Sequence, residues 1–77
     1  NQMDVMVSNL KDKKGEDPDL AFLEGMIVHH EGAIEMAKIV VEKTKRPEIK
    51  KLAEDIINAQ SGEIKLMKGW LSQWYGR

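Results

Sequence analysis

Two adjacent histidines, His29 and His30, are the only imidazoles of the chain, and methionines flank them at Met26 and Met36. Imidazole nitrogen and thioether sulfur both bind metals, and thioether favours soft ions such as Cu(I). Calcium and magnesium, in contrast, take oxygen ligands. The segment therefore predicts a site for a soft or borderline ion. Copper is the expected cofactor, Cu(I) before Cu(II), with silver as a related ion.

The composition excludes several other functions. Twelve basic and 13 acidic residues leave a net charge of -1, which offers no basic field to attract nucleic acid. Cysteine is absent, so thiolate catalysis and cysteine zinc sites are excluded. No apolar run approaches the roughly 20 residues that a membrane-spanning helix needs. We therefore expect neither a nucleic acid partner nor a membrane-spanning segment in this chain.

Apolar residues recur with the period of an α-helix over three segments. This pattern predicts a short N-terminal helix over about residues 2–13, a first long helix over about 18–45 and a second over about 47–75. Asp17 and Pro18 mark the start of the first long helix, since Asp caps a first turn and Pro suits its first position. Pro47 separates the two long helices, because it disfavours helical geometry at the residue before it.

The segments predict an all-α fold in which residues 1–77 form one domain. The short break at Pro47 requires the two long helices to pack as an antiparallel hairpin, with the short helix beside them. Part of the apolar face of this hairpin then remains uncovered. We expect a homo-oligomer, and a dimer in particular, to complete a four-helix or larger bundle.

Polar residues lie on both apolar faces of the predicted hairpin. On the first long helix, His30 lies near the centre of the apolar face and His29 towards its edge. On the second, Gln60 and Glu63 interrupt the apolar pattern. The antiparallel register places the histidine pair level with residues 61–62, which Gln60 and Glu63 flank. These polar groups are therefore expected to support a site at the histidines.

The same register brings four of the five methionines to the level of the histidine pair. The fifth, Met36, lies about 10 Å from His29 along the helix axis, too far to share one ion with it except in favourable rotamers. The predicted ligands and supporting groups of the site are His29, His30, Met26, Met67, Gln60, Glu63, Met3 and Met6.

Two further interpretations remain open. Methionines at helical spacing are commonly core residues, which would make the chain a helical dimerisation or adaptor module without metal. A carboxylate-metal protein is the other alternative. Di-iron bundles use paired Glu-x-x-His elements, however, and Met26 and Ile27 stand where that pattern needs Glu. The sequence has no phosphate-binding loop or convincing nucleophile–base pair, so we expect no enzymatic activity.

Two ordered motifs span most of the chain, from about Phe22 to Trp74. The first reads Met26-Ile27-x-His29-His30-Glu31-x-Ala33-Ile34-x-Met36-Ala37. The second reads Leu52-Ala53-x-x-Ile56-Ile57-x-Ala59-Gln60-x-x-Glu63-Ile64-x-x-Met67-x-x-Trp70-Leu71. In these motifs the chain resembles the bacterial helical-bundle family called domain of unknown function 305.

This resemblance implies a ferritin-like bundle in an extracytoplasmic protein, whether periplasmic, secreted or held at the cell envelope. Some relatives bind copper or silver and contribute to metal tolerance. The resemblance therefore implies a protein that sequesters the ion or exchanges it with a metal donor or acceptor protein. Carried over residue by residue, it implies the ligands His29, His30, Met26, Met67 and Met36, with Gln60 and Glu63 as support.

Overall fold

The computed structural model describes residues 17–77, which form two α-helices. Helix α1 spans Pro18–Lys43 and helix α2 spans Pro47–Tyr75, and the two pack along each other as an antiparallel hairpin. Residues 17–77 contain no β-strand. The all-α class and the long hairpin are thus confirmed. The predicted helix over residues 2–13, with Met3 and Met6, lies outside the described residues.

Asp17 caps the start of α1, as the sequence predicts. Its Oδ1 accepts hydrogen bonds from the backbone N–H groups of Asp19 at 2.9 Å and Leu20 at 3.4 Å. These N–H groups belong to the first turn, in which backbone N–H groups have no carbonyl partner within the helix. Pro18 at the first helical position has no N–H to satisfy, so the cap and the proline fix the same starting point.

The connection between the helices is three residues long, because α1 ends at Lys43, two residues before its predicted end. Thr44 is extended, and its N–H donates to the Val40 carbonyl at 2.8 Å. Its hydroxyl accepts a hydrogen bond from the Arg46 N–H at 3.2 Å. Arg46 is itself extended, as the residue before Pro47 should be. Extended residues thus lie at both ends of the connection, and a hydrogen bond joins them.

Packing differs between the two ends of the hairpin. We call the half that contains Asp17 and Tyr75 the open half, and the half next to the connection the turn half. In the turn half the buried apolar residues are small, Ala37 and Ala53. In the open half, large side chains form a buried core cluster, Leu23, Ile27, Met67 and Leu71. The helices therefore meet through large residues at one end and through alanines at the other.

The charged residues that the helical periodicity places away from the apolar face of α1 are all exposed, and these are Glu24, Glu31, Glu35, Lys38 and Glu42. This confirms the predicted orientation of α1. Among the described residues, no helix combines the length and the hydropathy that crossing a membrane requires.

The two tryptophans of α2 differ in burial. Helical periodicity places Trp74 on the apolar face of α2 and Trp70 at its edge, and the structure reverses this order. Trp70, expected at the edge of the apolar face, packs against the core cluster, whereas Trp74, expected on that face, is 54% exposed. Because α1 begins only at Pro18, it offers little surface at the level of Trp74. The Trp74 ring instead stacks on that of Trp70, with centroids 5.5 Å apart and an angle of 4°.

Two glycines, one inside α2 and one directly after it, have different backbone requirements. Gly76, which ends the helix, has a φ of 67°, in the left-handed region that favours glycine. Its N–H donates to the Ser72 carbonyl at 3.1 Å. Gly69 lies inside the helix, and a Cβ added there would meet no other atom within 4 Å.

Alanine should therefore change stability in opposite directions at these two positions. We expect Gly76→Ala to lower the free energy of unfolding by about 1 kcal/mol, because alanine is strained at positive φ. Gly69→Ala should raise it by up to about 1 kcal/mol, because alanine is the better helix former. Urea unfolding of both variants measures these changes. Changes of the same sign in the two variants would contradict the proposed difference between the left-handed Gly76 and the helical Gly69.

Candidate metal centre

The histidine pair lies near the middle of α1. His30 is buried, with 5% of its surface exposed, and His29 is half-buried. Adjacent residues of a helix point about 100° apart, so the two rings cannot lie parallel on one side. They meet edge to face instead, with centroids 6.0 Å apart and an angle of 67° between the ring planes. The two imidazoles are therefore neighbours in space as well as in sequence.

Glu63 of α2 forms a hydrogen bond with His30, between Oε2 of the carboxylate and Nε2 of the ring. The carboxylate side chain is 57% exposed, whereas the imidazole side chain is 7% exposed. Glu63 thus reaches from the rim of the hairpin to a ring that lies inside it. When Nε2–H donates to the carboxylate, the other ring nitrogen, Nδ1, keeps its lone pair.

The partner of His30 lies slightly beyond the residue of α2 that was expected to be level with it. His30 was predicted to lie level with Ser61, and its partner is two residues further along α2. Side chains of a helix lean towards its N-terminus. His30 therefore leans towards the open half, where the residues of α2 have higher numbers. Glu63 was predicted to flank the histidines, and the lean brings it into direct contact.

Three buried polar atoms have no hydrogen-bond partner among the described residues, namely His29 Nδ1, His30 Nδ1 and Gln60 Oε1. Leaving a buried polar group unpaired costs about 1–3 kcal/mol, so such atoms are uncommon and point to a missing partner. Two of the three are imidazole nitrogens, the atoms through which histidine binds metals.

Two of the predicted thioether ligands lie beside this pair. Met26 precedes His30 by four residues, one turn of α1, and Met67 follows Glu63 by four residues, one turn of α2. Met67 is buried in the core cluster and Met26 packs against that cluster. The hairpin therefore places both methionines at the core cluster, each one helical turn from His30 or Glu63.

Met36 lies apart from the other candidate ligands. It is 65% exposed and lines a pocket in the turn half of the hairpin. Gln60 lines the same pocket. This predicted supporting residue therefore lies between the histidine pair and Met36. Within residues 17–77, no group of three or more His, Asp or Glu side chains is arranged to hold a metal ion. The candidate donors remain the mixed set predicted from the sequence, two imidazoles and two thioethers.

The sequence did not predict a contact that joins the two helix ends of the open half. The Tyr75 hydroxyl donates to Asp17 Oδ2 at 2.7 Å. This bond to the neighbouring carboxylate raises the pKa of Tyr75 to about 12. The same hydroxyl, together with the N–H groups of Asp19 and Leu20, holds the pKa of Asp17 below its ordinary value. The antiparallel register could have predicted this contact, because it brings residues 17 and 75 to one level.

Tyr75 is the chain's one tyrosine, so its titration can be followed directly. We expect tyrosinate absorbance with a midpoint near pH 12, against an ordinary value of about 10. Because the folded-state pKa of Tyr75 is raised, its contribution to stability is complete below the ordinary pKa and is lost as the pH rises through about 12. The contribution of Asp17 has the opposite pH dependence. It is complete above the ordinary pKa of the carboxyl group and is lost as the pH falls through the lowered pKa.

The control for this titration is Asp17→Asn, which removes the charge next to the hydroxyl. Its tyrosinate midpoint should return towards the ordinary value. An unchanged midpoint in Asp17→Asn would contradict the hydrogen bond as the cause of the raised pKa.

Comparison with known proteins agrees with the motifs in the sequence. A family model described as Domain of unknown function (DUF305) matches residues 2–77. An uncharacterized protein of Acanthamoeba polyphaga mimivirus is 49% identical over 55 residues, which are 71% of this chain. The matched part spans 36% of that relative's length. Since the family model covers nearly the whole chain, the resemblance is confirmed, and the protein belongs to the DUF305 family.

Proposed function

We propose that this protein binds a soft metal ion, Cu(I) before all others, and sequesters it or passes it on without catalysing a reaction. The proposed donors are His29, His30, Met26 and Met67. The observation that carries the proposal is the state of the His30 ring, which is bonded to Glu63 through Nε2 and has a buried, unpartnered Nδ1.

Histidines that bind metals commonly use their two ring nitrogens in this way. One nitrogen binds the ion, and the N–H at the other usually donates to an acceptor such as a carboxylate. This hydrogen bond fixes the tautomer and raises the basicity of the nitrogen that binds the ion. In His30 the Glu63 carboxylate takes the role of that acceptor. Nδ1 then offers a lone pair towards the interior, where burial excludes competing water molecules. Glu63 is accordingly a positioning residue in this proposal and not a ligand.

The mixture of donors favours copper or silver. Thioethers select soft ions, imidazole suits copper, and oxygen donors suit calcium and magnesium. Metal–nitrogen bonds to imidazole are about 2 Å long, so one ion can join two nitrogens that lie roughly 4 Å apart. The separation of 6.0 Å between the ring centroids of His29 and His30 is compatible with such sharing.

The cellular setting is part of the same proposal. We place the protein outside the cytoplasm, in the periplasm, at the envelope or secreted, with a role in metal tolerance through exchange with a donor or acceptor protein. This setting rests on the family resemblance, whereas the choice of ion rests on the donors.

Titration of the full chain with Cu(I) under reducing conditions, against a competing chelator, tests the proposal. We expect one ion per chain and an increase in thermal stability of about 2.7 kcal/mol at a free Cu(I) concentration one hundred times the Kd. Magnesium and calcium should have no effect. If neither Cu(I) nor Ag(I) binds and stability depends only on protein concentration, the metal function is wrong and the alternative of a dimerisation module is favoured.

Glu63→Gln tests the positioning role. The amide can still accept a hydrogen bond but carries no charge, so we expect Cu(I) affinity to fall by roughly 10–100-fold, as for other carboxylates that support metal-binding histidines. Glu31→Gln is the matched control, because Glu31 is next to His30 in sequence but is exposed on the opposite face. Equal losses of affinity in the two variants would indicate a general effect of charge and would contradict the positioning role.

A further inference from the structure

The three methionines of residues 17–77 differ widely in their access to solvent. Met36 is 65% exposed, whereas Met67 is 6% exposed. Met26 is half-buried and packs against the core cluster. An oxidant in solution must reach the sulfur atom, so oxidation of methionine to its sulfoxide follows exposure. The fold therefore ranks these thioethers by their access to oxidants, with Met36 first and Met67 last.

The exposure of Met36 follows from its neighbours on α1. The next residue, Ala37, is buried against α2, and adjacent residues of a helix point about 100° apart. The side chain of Met36 therefore points to the side of the hairpin. Helical side chains also lean towards the N-terminus, over the residues three and four positions earlier. These are Ala33 and Gly32, which are too small to cover the thioether.

The surroundings of Met36 suit a small neutral oxidant. The residue lines the turn-half pocket of about 330 Å³, whose walls are mostly apolar. A water molecule occupies about 30 Å³ in the liquid, so hydrogen peroxide has ample room there. The sulfur lone pair attacks one peroxide oxygen, an S–O bond forms and the O–O bond breaks. The second oxygen leaves with both hydrogens as water. The sulfur is oxidised by two electrons to the sulfoxide, and the peroxide is reduced by two.

The stability of the product favours the same residue. A sulfoxide is polar and accepts hydrogen bonds. At Met36 water can hydrate the new oxygen. At Met67 the oxygen would lie unpaired among the buried side chains of Leu23, Ile27 and Leu71, and burying a polar group without a partner is unfavourable. Both the rate of oxidation and the stability of the oxidised chain therefore select Met36.

We propose that Met36 is a modification site, the methionine of residues 17–77 that hydroperoxides oxidise first. The sulfoxide places a polar group beside the exposed Ile49 and Leu52 and makes the turn-half surface less apolar. Met36 lies ten residues, about 15 Å, from Met26 along α1, so the modification leaves the two candidate thioether donors reduced. The difference in exposure needs no bound ion, and the inference does not rest on the proposed metal function.

Timed oxidation of the metal-free full chain tests the proposal. The chain is treated with hydrogen peroxide in the presence of a chelator, quenched at intervals and mapped by mass spectrometry of its peptides. We expect Met36 to be oxidised at least roughly tenfold faster than Met67, since their exposed fractions differ by about that factor. Met26 should be intermediate. In urea that unfolds the chain, the three rates should converge.

Met36→Leu is the matched variant. It should remove the fast phase of oxidation within residues 17–77 and leave the rates at Met26 and Met67 unchanged. Wild-type chain oxidised at Met36 alone should keep its thermal midpoint and elute earlier from a hydrophobic column. Oxidation of Met36 no faster than that of Met67 in the folded chain would overturn the proposal. The same order of rates in urea would also overturn it, because the selectivity would then not come from the fold. Unchanged retention of the oxidised chain would contradict the change of surface.

Discussion

Replacing both His29 and His30 by alanine is expected to lower Cu(I) affinity by more than roughly a hundredfold. Loss of a carboxylate that merely supports a metal-binding histidine costs about 10–100-fold, and loss of the ligands themselves must exceed that. The measurement is a competition titration of the wild type and the double variant with a Cu(I) chelator under reducing conditions. Equal affinity and stoichiometry in the two proteins would contradict the proposed site.

The control addresses the burial of His30. Alanine at this buried position leaves a cavity, which destabilises the surrounding packing. His30→Leu fills most of that space, and its former partner Glu63 is 57% exposed and can be hydrated. The leucine variant should therefore keep its helical content and still lose Cu(I) affinity. Loss of affinity in the alanine variant but not in the leucine variant would indicate a packing role for His30.

Replacing Met26 and Met67 together by leucine is the second large expected effect. Leucine and methionine have similar volumes, so the exchange should cost less than about 1.5 kcal/mol of stability at each position. It removes both thioethers, and we expect Cu(I) affinity to fall by at least roughly a hundredfold. Cu(II), which the imidazoles suit, should be affected less. Titrations of the same variant with the two oxidation states measure this difference.

Met36→Leu is the matched control for the methionines. Met36 is the same kind of residue on the same helix as Met26, but it is 65% exposed and lines the turn-half pocket. The variant should keep the Cu(I) affinity of the wild type. A loss equal to that of the double variant would show that the ligand set extends into the turn half, as the family resemblance implied for Met36.

The features that the sequence predicted correctly depend on local chemistry. Asp17 with Pro18 starts α1, and Pro47 starts α2, because capping and proline geometry involve only neighbouring residues. The face that includes His30 follows from helical periodicity, which also depends on one helix alone. The class of the fold and the buried position of His30 could therefore be predicted.

The features that were missed depend on how one helix lies against the other. Glu63 was predicted as a supporting group of the site, but its contact with His30 in particular depends on how side chains lean along two opposed helices. The bond between Tyr75 and Asp17 joins residues 58 positions apart, and no local pattern signals it. The exposure of Trp74 follows from the point at which α1 begins, at the other end of the hairpin.

The unequal packing along the hairpin has a consequence for local opening. In the open half, Leu23, Ile27 and Met67 bury large side chains between the helices, whereas in the turn half Ala37 and Ala53 bury little surface. Regions with few buried apolar contacts open with a lower free energy than the rest of a protein. In an isolated chain, the turn half should therefore open locally, and exchange its amide hydrogens sooner, while the layer that contains Met26 and Met67 stays closed.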